Sequence, residues 1–152
     1  MEDKNWLLQM NEVLQKQALQ KTNEFAKQFG LALSEGDMDL LLKERRQSLQ
    51  EQERIELRGG ILPRLIFEFC DSPYIYQDNY TETIARLQEI FYFYKNESLD
   101  ELTDDELIAL MKHEFEGSCQ GSLDYLEETC MERIGRSIRC GRSWDMEGGA
   151  DD

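Results

Sequence analysis

Residues 59–80 read GGILPRLIFEFCDSPYIYQDNY, and here an otherwise polar chain turns hydrophobic. The glycine pair ends whatever helix precedes it. Pro63 then falls in the first turn of a new one, where its missing N–H is not needed. Ile61 to Cys70 therefore reads as a short helix that is apolar on most sides. Ile61, Leu62, Leu65, Ile66, Phe67, Phe69 and Cys70 face neighbours, while Arg64 and Glu68, four residues apart, meet across one turn and cover the only polar strip. A helix with so little polar surface belongs at the centre of a core. Ser72–Pro73 then opens a turn that carries Tyr74 and Tyr76.

Working toward the N-terminus, Ser34 with Asp37 has the outline of a capping box and starts a helix over about residues 35–58. Its second half, KERRQSLQEQERIELR, alternates charge sign along the surface without well-placed i,i+4 pairs, so burial of Leu49, Ile55 and Leu57 must hold it. Ahead of it Trp6, Leu7, Met10, Val13, Leu14, Ala18, Phe25 and Phe29 recur at threes and fours, which predicts a helix over about 4–29 packed by that stripe. The polar middle, QKQALQKTNE, thins the stripe and marks Thr22–Asn23 as a place to bend or break. Gly30 supplies a left-handed cap.

Toward the C-terminus, Asn79 with Glu82 repeats the capping logic for a helix that buries Ile84, Leu87, Ile90, Phe91 and Tyr94 and ends near Asn96. Thr103 with Glu106 caps another, with Leu107, Ile108, Leu110, Met111 and Phe115 as its stripe and Gly117 as its stop. A last helix runs from about Ser122 with Leu123, Leu126, Cys130, Ile134 and Ile138 inward. No strand signal competes. The fold class is therefore all-α, a single-domain irregular bundle of about six helices around the short buried central one, spanning 1–139. Residues 140–152, ending GRSWDMEGGADD, read as a disordered acidic tail.

The chain has 152 residues and a net charge of −15, enough for one sizeable core. Residues 1–60 hold 9 basic and 11 acidic side chains and residues 100–139 hold 4 and 11, so the second half is the acidic half. That field repels phosphate backbones and anionic lipid, which disfavours nucleic-acid and membrane-surface binding unless a local basic patch overrides it, and it attracts a cationic protein face. The first residues are acidic where an export signal needs basic ones, and the densest apolar run contains Arg64 and Glu68. A cytoplasmic protein is expected. The four cysteines, at 70, 119, 130 and 140, lack paired CxxC spacing and read as free thiols.

No catalytic, metal or cofactor signature stands out. His113 has no second histidine four residues on and no glutamate three before it, so a helical metal motif fails. A site of His113 with Cys119, Cys130 and Cys140 would have gaps too wide for structural zinc. Cys70 and Cys130 sit on apolar stripes and behave as small hydrophobes. Cys119, between Gly117 and Gly121, is expected to be the accessible thiol, with His113 as the one histidine that could serve it as base. Arg133, Arg136 and Arg139 end their helix where cations offset its dipole.

Nine of the fifteen aromatics lie between Phe67 and Tyr94, and FYFY at 91–94 points rings to all sides of one helix. Tyr74, Tyr76, Tyr80, Tyr92 and Tyr94, with Arg64 and Glu68 as polar anchors, are the candidate ligand or partner surface. The expected function is a non-enzymatic interaction or assembly module that binds a protein partner or itself. A small-molecule binder with a tyrosine-lined pocket is the alternative, and a thiol- or metal-dependent enzyme stands behind both. The GGILPRLIFEFCDSPY core resembles that of small acidic helical bacterial proteins, a resemblance that implies no activity and no site residue.

Overall fold

The computed structural model describes residues 2–54, 60–98 and 101–140, and all regular structure among them is helical. In chain order these are α1 (Glu2–Ala26), a 3-10 turn (Lys27–Phe29), α2 (Glu35–Glu51), α3 (Leu62–Phe69), a 3-10 turn (Gln77–Asn79), α4 (Tyr80–Glu97) and α5 (Asp104–Glu116). A final run consists of α6 (Leu123–Tyr125), a π-helical turn (Leu126–Met131) and α7 (Glu132–Arg139). Counted as one uninterrupted run, this last set makes six helices, and the all-α class holds. The helices group into two compact units, Met1–Glu89 and Ile90–Asp152, with the boundary inside α4. Residues 141–152, expected as a tail, and Ile55–Gly59 lie outside the described residues.

The first unit is built on α3. Pro63 stands in its first turn, with Ile61 and Cys70 as its caps. Ile61, Leu62, Leu65, Ile66, Phe69 and Cys70 are buried, each large side chain contributing about 1.5–3 kcal/mol by leaving water. α3 packs on α1, which also packs on α2. Phe67 departs from expectation: it is 59% exposed, because residues two positions after Leu65 and two before Phe69 point away from the face those two share. Its ring lies 4.7 Å from that of Phe25, which in turn meets Phe29 at 5.7 Å.

α1 runs without a break through Thr22–Asn23, and Gly30 ends the helical run at φ 82°. The Leu31 N–H reaches back to the Ala26 carbonyl and the Gly30 N–H to that of Lys27, a Schellman closure. α2 is shorter than its charge pattern indicates. It stops at Glu51, where Glu53 takes φ 56° and the Arg54 N–H bonds the Leu49 carbonyl, so a glutamate fills a position that favours glycine and no glycine signal was present to read. Its start is as expected: Ser34 and Asp37 form the reciprocal capping box. Asn79 does not cap α4 forward. Its amide turns back, accepting from the Tyr76 N–H and donating to the Tyr74 carbonyl.

In the second unit Thr103 and Glu106 complete a capping box on α5, and Leu107, Ile108, Leu110, Met111 and Phe115 are all buried. Buried Lys95 of α4 donates to the Leu102 carbonyl and pairs with Asp104 at 3.0 Å, tying the end of one helix to the start of the next. Gly117 is the C-cap of α5, in a conformation where a Cβ would meet the His113 carbonyl at 2.9 Å, so glycine is the residue that fits there. The left-handed residues come later, Gln120 at φ 49° and Gly121 at φ 86°. Both capping boxes are exposed, so Ser34→Ala and Thr103→Ala are each expected to cost about 1 kcal/mol, read as a lower urea midpoint at unchanged slope. An unshifted midpoint would show that the helix ends do not depend on these hydroxyls.

Candidate functional site

The aromatic surface read from the sequence is mostly interior. Tyr80, Tyr92 and Tyr94 are buried, whereas Tyr74 is half-buried, Tyr76 exposed, and Arg64 and Glu68 exposed on α3. Of FYFY, only Phe93 reaches solvent. Burial, with the Cys70 thiol beside it, pushes the Tyr80 hydroxyl above its ordinary range. Two open clefts, of about 400 and 770 Å³, are lined by residues of α1 and α2 and by none of the five tyrosines. The smaller is bridged by Glu12 to Arg46 at 2.9 Å and by Lys16, which meets Asp39 at 2.9 Å and Glu35 at 3.1 Å.

Part of the apolar stripe of α1 faces outward, while Ala18 and Phe25 are half-buried. Met10, Val13 and Leu14 are exposed, the last two at 51% and 54%, while Gln15, Leu19, Asn23 and Ala26 form the buried face. Periodicity found the stripe but could not say which face was inward; the spacing of Leu19 and Ala26, seven apart, was the signal for the other side. α1 is also nearly neutral, with four acids and three bases in its 25 residues, in a chain whose net charge is −15.

A second arrangement lies in the acidic half. Cys119 follows α5 in the 117–121 turn, and Cys130 sits in the π turn. Both are buried, with their sulfurs 3.4 Å apart. This corrects the expectation that Cys119 is the accessible thiol; Cys140 is the exposed one. The turn doubles the chain back so that residues eleven apart meet, and the wide π turn brings Met131 inward beside Leu126, Cys130 and Ile134. A strict 3.6 period has no place for that insertion. Ser118 Oγ lies 3.5 Å from Cys130 Sγ and donates to Glu114 at 3.1 Å. From α4 the Tyr94 hydroxyl meets the Glu127 carbonyl at 2.8 Å and the Glu132 carboxylate at 3.2 Å, so Tyr94 braces the π turn.

Burial pushes the Cys119 thiol up to about 12, with Cys130 and then the Glu114 carboxylate adding to the effect. At neutral pH Cys119 is therefore a protonated thiol, not a thiolate nucleophile. His113 stands exposed on α5, and Cys119 Sγ faces Cys130. Among the described residues no three histidine, cysteine, aspartate or glutamate side chains converge as metal ligands, and no helix is long and apolar enough to cross a membrane.

The chain belongs to a family of unknown function (DUF6323), whose model matches residues 18–144. The match begins inside α1, so Met10, Val13 and Leu14 precede it and Cys119 and Cys130 fall within it. No curated protein and no solved structure matches the chain.

Proposed function

We propose that the protein is a non-enzymatic interaction module that self-associates through the outer face of α1. The observation that carries this reading is the exposure of Met10, Val13 and Leu14 on one side of a helix whose opposite side packs on the body. Apolar side chains at that spacing form a seam for another helix. A second copy of the chain fits best on charge grounds. Two strongly acidic molecules repel each other, and contact along a nearly neutral helix brings together the segment where that repulsion is least.

Analytical ultracentrifugation tests it. The wild-type chain is expected to dimerise, more tightly at higher salt because screening weakens the repulsion between the copies. Val13→Glu with Leu14→Glu is expected to be monomeric and to melt where the dilute, dissociated wild type does, since neither residue is in the core. A wild-type chain that stays monomeric at all concentrations and salts sinks the reading.

A further inference from the structure

We propose that Cys119 and Cys130 are a modification site that closes to an intramolecular disulfide when the protein meets a hydroperoxide. The sulfurs stand 3.4 Å apart, so closing to the roughly 2.05 Å of a disulfide needs a movement of about 1.4 Å. Neither sulfur is carried by a regular α-helix. Cys119 lies in a turn containing two left-handed residues, and Cys130 lies in a π turn, which is wider than an α turn. Cys70 lies in the other compact unit and Cys140 is exposed.

The chemistry balances with the hydroperoxide as oxidant. The Cys119 sulfur takes the terminal peroxide oxygen to become a sulfenic acid, and the hydroperoxide leaves as the alcohol, or as water when it is hydrogen peroxide. The Cys130 sulfur then displaces the hydroxyl, which leaves as water with the remaining thiol proton. Two thiols and one peroxide become one disulfide, one alcohol and one water. A hydroperoxide is small enough to reach a nearly buried thiol, and because so little thiolate is present the step is slow. Exposed Ser118, which donates to Glu114, lies 3.5 Å from the Cys130 sulfur. The bond would tie the 117–121 turn to the π turn that Tyr94 braces.

The test uses the full chain carrying Cys140→Ser, which removes the exposed thiol, exposed to hydrogen peroxide for hours and then denatured and alkylated. Expected is a species two hydrogens lighter with one alkylated cysteine, Cys70. Cleavage after Tyr125 should leave the two halves joined until a reductant is added. Adding Cys130→Ser should abolish the link and leave Cys119 as sulfenic or higher acid, whereas adding Cys70→Ser should retain it. Three alkylated cysteines after oxidation, or a link that involves Cys70, overturns the proposal. Because the link is read on a chain with both thiols intact, a folding defect in the Cys130 variant cannot imitate it.

Discussion

Phe69→Ala is expected to lower stability by about 3–5 kcal/mol, while Phe67→Ala, two residues away on the same helix, costs about 1 kcal/mol. Phe69 is wholly buried, so truncation removes the transfer gain of a ring and leaves a cavity that its neighbours fill only in part. Leu65 and Ile66, four and three residues before Phe69, share its buried face, and α3 itself is held by its packing on α1. Eight residues are too few for a helix to persist alone, so loosening this face also loosens the helix. Phe67 stands largely in water, and its loss removes one tilted ring contact with Phe25. Urea denaturation of both variants measures the difference. Similar losses for the two would mean that α3 does not pack as described.

Legibility in the sequence followed how local the cause was. The starts of α2 and α5 were readable because Ser34–Asp37 and Thr103–Glu106 make their bonds within one turn. α3 was readable because Pro63 and an apolar run decide it together. The end of α2 was not, since a left-handed glutamate carries no composition signal. The tyrosines misled because a tyrosine is equally at home at a rim or in a core; Tyr94 is inside with its hydroxyl satisfied by Glu127 and Glu132. The orientation of α1 and the meeting of Cys119 with Cys130 depend on which faces other elements cover and on a π insertion. Neither leaves a periodic trace in one sequence.

Asn23→Ala is expected to cost about 2–6 kcal/mol, although the sequence marks Asn23 as a weak point in a polar stretch. Its side chain is buried on α1 and grips the backbone of Leu33 at both ends: the Leu33 N–H donates to Oδ1 at 2.8 Å, and Nδ2 donates to the Leu33 carbonyl at 3.1 Å. One residue earlier, Ala32 is held the same way by Gln77, at 2.8 and 2.9 Å. Backbone groups of successive residues in an extended segment point to opposite sides. The two amides therefore clamp the connection between α1 and α2 from both flanks, each taking the place of a neighbouring strand. Alanine at 23 strands two buried backbone groups, at about 1–3 kcal/mol each. Gln77 is exposed and both of its bonds to half-buried Ala32 are open to solvent, so water replaces that amide and Gln77→Ala costs no more than about 1 kcal/mol. Hydrogen exchange separates this account from a general loss of packing, because the Leu33 amide should lose its protection in the Asn23 variant before the amides of α3 do. An Asn23→Ala chain within about 0.5 kcal/mol of wild type, with Leu33 still protected, would show that the clamp is not what holds the connection in place.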